Sequence, residues 1–195
     1  MINFKRSVFI KSATKQEERP NINLKEVLIV GKSNVGKSSL INALTGQNRL
    51  AFTSSKPGHT KLLNYYNIDD KFLLVDAPGY GFAKGGIDLD RLFASMMESY
   101  FKDNKFLSMV LLLLDARREF NDNDLEILNF VKSYKIPYFL IITKMDKVNQ
   151  KEKAQLNKYL ASINIDKSQI FFTSSVLDKT LDPFKKELQI FLERK

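Results

Sequence analysis

The first segment with evident chemistry is a glycine-containing loop at residues 31–38, whose sequence is GKSNVGKS. It fits the pattern GxxxxGK[ST], follows a predicted strand and opens a predicted helix. The glycines allow successive backbone N–H groups to face phosphates at the positive end of that helix. Lys37 would add a charge toward the β and γ phosphates, and the hydroxyl of Ser38 could bind Mg²⁺. The sequence therefore predicts a nucleoside triphosphate site formed by Gly31, Lys32, Ser33, Asn34, Val35, Gly36, Lys37, Ser38 and Ser39.

A second motif, DAPG at residues 76–79, also follows a predicted strand. The carboxylate of Asp76 stands at the strand end, where it could hold Mg²⁺ through a water molecule, and the N–H of Gly79 could reach the γ phosphate. A DxPG tetrapeptide alone is equally typical of a type I or II turn. Its distance after the phosphate loop favours the nucleotide, so we expect contacts from Asp76, Ala77, Pro78 and Gly79.

The sequence TKMD at residues 143–146 matches the element [TN]KxD that selects the base in GTPases. The carboxylate of Asp146 can accept hydrogen bonds from N1–H and the exocyclic NH₂ of guanine, whereas adenine would present a lone pair to it. A site built to bond a group rejects the analogue that lacks it, because buried polar atoms go unpaired. We therefore expect guanine contacts from Thr143, Lys144, Met145 and Asp146, with backbone N–H groups to guanine O6 from Ser174, Ser175 and Val176.

The loop SSKPGHT at residues 54–60 supplies the candidate for a second Mg²⁺ ligand. Thr60 is selected over Thr53 because of its position before the second predicted strand. The expected nucleotide contacts here are Gly58, His59, Thr60, Lys61 and Leu62. The candidate catalytic residues are Lys37, Thr60 and Gly79, and the candidate metal ligands are Ser38, Thr60 and, through water, Asp76.

Short apolar runs alternate with longer amphipathic stretches from Glu26 to Leu181, which is typical of an α/β domain. We predict six strands, at residues 27–30, 62–68, 72–75, 109–114, 138–142 and 170–172. Five helices are predicted at residues 38–45, 88–101, 122–134, 150–163 and 183–193, with Asp122 and Asp182 as caps. Residues 47–60 and 79–86 are interpreted as mobile loops, and the ends before about Asn23 and after Arg194 as loose tails.

The composition is typical of one globular domain over residues 1–195, with 44% hydrophobic and 27% charged residues. The apolar runs are too short to span a bilayer, so we expect a cytoplasmic protein without a membrane partner. Cysteine is absent and His59 is the single histidine, which argues against disulfides and a zinc site. The net charge of +9 raises the expectation of a polyanionic partner, although most of that charge is spread along the chain.

Together, these motifs resemble the bacterial EngB family of GTPases, also called YsxC or YihA, which are P-loop GTPases of the TrmE-Era-EngA-EngB-Septin type. The resemblance rests on GKSNVGKSS, SSKPGHT, DAPGYGFA, DAR at residues 115–117, and TKMD. It covers nearly the whole chain, because FIKSATKQEERP at residues 9–20 is similar to the N-terminal lead-in of that family, which we place at residues 1–22.

The resemblance implies a three-layer, Ras-like P-loop NTPase fold, with a six-stranded, mostly parallel sheet and about five helices. It also implies Mg²⁺-dependent binding and hydrolysis of GTP to GDP by a monomer. The implied partner is the large ribosomal subunit or its precursors, through ribosomal RNA and proteins, with a role in late assembly. Members of the family are needed for normal cell division and septation.

The residues also suggest how hydrolysis is controlled. In Ras-type enzymes a glutamine orients the attacking water, whereas Tyr80 follows the DxPG glycine here. We therefore expect slow intrinsic hydrolysis that rises when a ribosomal partner orders the loops. Asn34 occupies a position from which some GTPases hold K⁺; an asparagine chosen for its tolerance of unusual backbone angles is the alternative.

Two other functions stay open from the sequence. A P-loop kinase or ATPase would share the phosphate loop but would not need Asp146 at the base. A non-catalytic RNA-binding module could keep the nucleotide only as a structural ligand. Competition of GTP by ATP would identify the first alternative, and repeated phosphate release would exclude the second.

Overall fold

Seven strands form one sheet within the described residues, which are 1–52, 62–81, 87–118, 122–163, 165–174 and 178–194 of this computed structural model. In chain order they are β1 (Ser7–Ala13), β2 (Lys25–Gly31), β3 (Leu63–Ile68), β4 (Phe72–Asp76), β5 (Leu107–Asp115), β6 (Tyr138–Thr143) and β7 (Ile170–Phe172). Their order across the sheet is β1-β3-β4-β2-β5-β6-β7. The β1–β3 and β3–β4 pairs are antiparallel and the others are parallel. The predicted mostly parallel sheet is confirmed, with one strand more than expected.

Five α-helices lie in the same described ranges: α1 (Lys37–Thr45), α2 (Ile87–Phe101), α3 (Asp122–Ser133), α4 (Gln150–Ser162) and α5 (Asp182–Glu193). They match the predicted helices to within one residue at each end. Asp122 and Asp182, predicted as caps, are instead the first residues of their helices. Their charges still lie near the positive helix N-terminus, which is favourable.

Alternate residues of β2 enter two separate apolar clusters, which lie on opposite faces of the sheet. Leu28 and Val30 share a cluster with residues of α2, α3 and α4, whereas Val27 and Ile29 share one with residues of α1 and α5. Helices therefore cover both faces of the sheet. This three-layer α/β/α arrangement confirms the expected fold class.

The N-terminal segment is not the loose tail that the sequence indicated. Residues 7–13 form β1, which pairs antiparallel with β3 at the sheet edge. Farther on, Arg19 forms an ion pair of 2.8 Å with buried Glu26 and lies 3.8 Å above the ring of Phe106. The edge strand was not predicted because its lysine and serine residues interrupt the apolar pattern. In the fold, Val8 of this strand is 55% exposed, so the strand does not bury each of its apolar residues.

The predicted C-terminal tail and most of the two predicted mobile loops lie outside the described residues. The predicted tail after Arg194 consists of Lys195, which lies outside the described residues. Most of the two predicted mobile loops also lies outside them, at residues 53–61 and 82–86. In the part of the chain that the structure describes, none of the helices has the length and apolar character needed to cross a membrane.

Candidate nucleotide-binding site

The phosphate loop connects β2, a central strand between β4 and β5, to α1. A Cβ atom on Gly31 would lie 2.8 Å from the side chain of Val35, so the tight start of the loop requires glycine. Asn34 has φ 62° and Gly36 has φ 115°, which turns the backbone into the helix. Gly36 is also the N-cap of α1 and has no side chain to occupy that end. The amides at this helix start can therefore face an anion.

Residues 79 and 80 lie directly against the phosphate loop. A Cβ atom on Gly79 would come within 2.7 Å of the Cα of Ser33, so the two backbones meet without room for a side chain. The N–H of Ser33 donates a 3.0 Å hydrogen bond to the carbonyl of Tyr80. Lys32 and Tyr80 form a parallel β-bridge. Before it, Ala77 donates to the carbonyl of Ile29 on β2.

Asp76 is the last residue of β4 and lies close to Lys37, and each of the two groups affects the pKa of the other. Burial raises the pKa of Asp76 to about 6, although Lys37 opposes the shift. Burial lowers the pKa of Lys37, and Asp76 opposes that change. Within the described residues, Oδ1 of Asp76 is buried and has no hydrogen-bond partner. A buried carboxylate oxygen that lacks a donor is an unfavourable arrangement unless a cation or water binds it.

The residues around Asp76 fit a hydrated Mg²⁺ ion. A cavity of about 910 Å³ has Ser38, Leu62 and Asp76 among its walls, so a hydroxyl and a carboxylate border the same space. Mg²⁺ takes oxygen ligands and usually keeps several waters. Ser39 lies in the first turn of α1 behind Ser38. The other expected contributors, Gly58, His59, Thr60 and Lys61, lie outside the described residues.

The TKMD segment is attached to the phosphate loop by two side chains. The hydroxyl of Thr143 donates to the carbonyls of Val35 at 2.7 Å and Leu114 at 3.1 Å. Nζ of Lys144 donates at 2.7 Å to the carbonyl of Asn34. Lys144 has φ 60°, and Met145 begins a short 3-10 turn. Two regions more than a hundred residues apart in sequence are thus held in a defined spacing.

Asp146 is oriented by its neighbours. The hydroxyl of Ser174 donates a 2.7 Å hydrogen bond to Oδ1 of Asp146, and Lys147 lies 3.5 Å from Oδ2. The Ser174 hydrogen bond is the main reason why the pKa of Asp146 lies below its usual value. Asp146 is therefore an ionised acceptor at neutral pH, which is the state that a guanine edge requires.

Ser174 uses both its backbone N–H and its hydroxyl for contacts within the protein. Its N–H, predicted to reach guanine O6, donates to the hydroxyl of Thr180 at 3.0 Å, while its side chain holds Asp146. The sequence alone gave no sign of these two hydrogen bonds, because Thr180 lies in a turn after the strand. Ser175 and Val176, the other two predicted O6 donors, lie outside the described residues.

Comparisons with known proteins identify the family. Residues 26–144 match the family model described as a 50S ribosome-binding GTPase. A probable GTP-binding protein EngB from Fusobacterium nucleatum is 40% identical over 196 residues, covering 100% of this chain and 98% of the relative. This chain belongs to the EngB family of GTP-binding proteins. It therefore binds GTP and GDP and is a GTP-hydrolysing enzyme.

One further relative carries the same name, and two solved structures share the fold. A probable GTP-binding protein EngB from Geobacter sp. (strain M21) is 36% identical over 97% of this chain and 89% of its own length. The crystal structure of a probable GTP-binding protein EngB has the same fold, with a TM-score of 0.70 and 22% identity, over 87% of this chain and 100% of that one. Era from Aquifex aeolicus, bound to GDP and AlF₄⁻, gives a TM-score of 0.67 at 29% identity, over 88% of this chain and 58% of Era.

In this EngB-family chain, Asp115 lies beside the candidate site through its contact with Lys144, and the sequence indicated it only as part of the DAR resemblance. It ends β5 and accepts hydrogen bonds from Lys144 at 2.7 Å and from the guanidinium of Arg117 at 2.9 and 2.8 Å. Burial alone would raise the pKa of Asp115, but these bonds hold it well below its usual range. Its position at the end of a central strand was the available signal.

The side chain of Tyr80 in the EngB-family chain lies against α2 and α3. Its hydroxyl donates a 2.6 Å hydrogen bond to Asp124 on α3, and its ring lies 5.6 Å from that of Phe93 on α2. Burial, and secondarily Asp124, raises the pKa of Tyr80 well above its usual value. Its neutral side chain is thus held between the helices.

Proposed function

We propose that this GTPase binds GTP with Mg²⁺ at the described site, hydrolyses it slowly as a monomer, and acts as a switch in late assembly of the bacterial large ribosomal subunit. The observation that carries the nucleotide assignment is the connection between the two ends of the site. Thr143 and Lys144 fix the phosphate loop relative to Asp146, which Ser174 holds ready to accept hydrogen bonds.

Each residue has a defined task in this proposal. The amides of residues 31–38 and the ammonium group of Lys37 bind the phosphates. Ser38, Thr60 and, through water, Asp76 would hold Mg²⁺, which neutralises charge on the phosphates when bound. Gly79 offers its N–H to the γ phosphate, since its backbone already lies against the phosphate loop at Ser33.

The decisive experiment is the substitution Asp146→Asn. The amide should weaken GTP binding and improve binding of xanthosine triphosphate, whose ring offers a carbonyl where guanine has NH₂. We expect the ratio of the two affinities to change by about a thousandfold or more, because a buried mismatch costs several kcal/mol. Asp166→Asn is the matched control, since that carboxylate also accepts from a serine hydroxyl but lies at a distant turn. Unchanged GTP affinity in Asp146→Asn would refute the assignment.

Slow hydrolysis is proposed because Tyr80 replaces the glutamine of Ras-type enzymes and is held by Asp124. A ribosomal partner would raise the rate by ordering the loops around the γ phosphate. Phosphate release should be measured with purified protein alone and with large-subunit particles. Equal turnover under both conditions would contradict this part of the proposal.

The ribosomal role is supported by the description of the matching family model and by the net charge of +9. Ribosomal RNA is a polyanion, so its attraction to lysine and arginine should weaken as salt increases. The same proposal implies a cytoplasmic location and an indirect requirement in cell division and septation. Sucrose-gradient profiles after depletion test it: incomplete large subunits should accumulate, and a normal profile would leave a GTPase without this role.

A dependence on K⁺ is a separate part of the proposal and rests on the position of Asn34 in the phosphate loop. Its φ of 62° gives an independent reason for asparagine at this position, because asparagine tolerates left-handed backbone angles. Turnover compared in K⁺ and Na⁺ buffers separates the two explanations. Equal rates in the two buffers would leave the backbone angle as the reason for asparagine at position 34.

A further inference from the structure

The two helices α2 and α3 differ in charge from the rest of the protein. Together their sequences contain six acidic and two basic residues, a net charge of −4 in a chain whose net charge is +9. The excess positive charge must therefore lie on other surfaces. Asp124 is buried against Tyr80, whereas Glu98, Asp122 and Glu126 are exposed and would repel a polyanion such as RNA.

An open apolar groove lies between these helices. It encloses about 270 Å³, and its apolar walls include Phe93 and Met97 from α2 with Ile127 and Phe130 from α3. Glu98 and Glu126, one from each helix, also line it, and both are exposed. The volume lies just below the range of pockets that bind drug-sized ligands, so it suits one or two large side chains.

We propose that this α2–α3 groove is a docking site for a basic protein segment, in which a large apolar side chain is flanked by lysine or arginine. The apolar side chain would enter between Met97 and Phe130, and its basic neighbours would pair with Glu98 and Glu126. Interfaces of this kind gain affinity from a buried apolar anchor and orientation from complementary charge at the rim.

The groove is adjacent to the nucleotide site through one residue. Tyr80 forms part of its wall, and the carbonyl of Tyr80 accepts the hydrogen bond from the N–H of Ser33 in the phosphate loop. A bound segment would therefore contact the residue that follows Gly79. The interface itself goes beyond the proposed function, because it follows from shape and charge and does not depend on the nucleotide assignment.

The test uses protein in its GDP-bound form with ¹³C-labelled methionine methyl groups. The probe is the capped peptide Lys-Leu-Lys-Phe-Lys-Leu-Lys. Met97 lines the groove, whereas Met109 belongs to the apolar cluster on the opposite face of the sheet. We expect a saturable shift of the Met97 methyl resonance and none at Met109.

Charge dependence is tested with the double substitution Glu98→Lys and Glu126→Lys, which should weaken peptide binding by about tenfold or more. The matched control is Glu17→Lys with Glu187→Lys, which makes the same charge change on the N-terminal segment and α5. This control should leave the affinity within about twofold.

Several results would overturn the interface. One is an unshifted Met97 resonance at millimolar peptide; another is equal weakening by the control pair, which would indicate unspecific attraction. A shift of Met97 caused by a single-stranded RNA, or by raising the protein concentration alone, would assign the groove to nucleic acid or to a second copy of the chain.

Discussion

Each end of the proposed nucleotide site contains a carboxylate, and the two carboxylates have opposite electrostatic environments. At the base end, Asp146 is held by Ser174 at 2.7 Å and its pKa is lowered. At the phosphate end, Asp76 is buried with a partnerless Oδ1 within the described residues, and its pKa is raised to about 6. The protein thus stabilises the anion at one end and destabilises it at the other.

This difference separates two ways of preparing a site. The base end is pre-organised, because protein groups already satisfy Asp146 and leave its geometry ready for guanine. The phosphate end carries an electrostatic penalty that a bound cation would relieve. We expect substitutions at the two ends to differ in kind: base-end changes alter selectivity, whereas phosphate-end changes alter stability and overall affinity.

The largest expected effect on stability is on the pH dependence of unfolding and concerns Asp76. Between about pH 4 and pH 6 the unfolded chain ionises this carboxyl while the folded protein keeps its proton. Ionisation in the fold therefore costs stability as pH rises, by about 3 kcal/mol for a shift from 3.8 to about 6. Asp76→Asn removes this cost, so the nucleotide-free variant should gain that much relative to the parent across the same interval.

Denaturant unfolding of the nucleotide-free proteins at about pH 4 and pH 7 measures this difference. Asp70→Asn, at an exposed turn between β3 and β4, is the control and should run parallel to the parent. The same Asp76→Asn variant should bind GTP more weakly when Mg²⁺ is present. A constant difference between variant and parent at both pH values would contradict the penalty at the phosphate end.

The second effect is a loss of nucleotide affinity that is the same for different bases. Lys37→Ala removes a charge-assisted contact to the phosphates and should weaken GTP and inosine triphosphate alike, by about a hundredfold. The ratio between the two nucleotides should stay constant, because inosine differs only in the group that Asp146 recognises. Lys71→Ala, in the exposed β3–β4 turn, controls for the loss of one positive charge. A changed ratio would show that the two ends are not separable.

A smaller effect is expected where the two ends are joined. Asp115→Asn weakens the ion pairs to Lys144 and Arg117, so Lys144 keeps only the carbonyl of Asn34 as an anchor. Affinity for GTP and GDP should fall together by about tenfold. Isothermal titration with both nucleotides checks this. A loss confined to GTP would place Asp115 at the γ phosphate instead.

The smallest effect is predicted for Tyr80→Phe. This change removes the hydroxyl that donates to Asp124 but keeps the ring between the helices. The intrinsic hydrolysis rate should stay within about twofold, while stability falls by about 1–2 kcal/mol from the lost buried hydrogen bond. Single-turnover phosphate release measures the rate. A drop beyond tenfold would mean that the hydroxyl assists the attacking water after all.

Prediction from sequence succeeded where a pattern is local and failed where a partner is distant. The helices were located to within one residue because start signals, periodicity and breakers lie within each segment. β1 was missed because an edge strand needs no apolar alternation, only a neighbour with free backbone groups, which β3 provides. The contacts of Ser174 with Asp146 and Thr180 were not predicted, because they depend on how three loops meet.

The order and spacing of the motifs, read from the sequence alone, predicted the phosphate loop, the DxPG segment and the guanine-selecting element, since backbone geometry and charge within a few residues define each of them. Only the tertiary structure decided how these parts cooperate. Burial raises the pKa of Asp76. Asp115 links Lys144 to Arg117 through two ion pairs. Tyr80 forms part of the wall of the groove between α2 and α3. These properties arise from desolvation and from contacts between residues far apart in the chain, which no local pattern encodes.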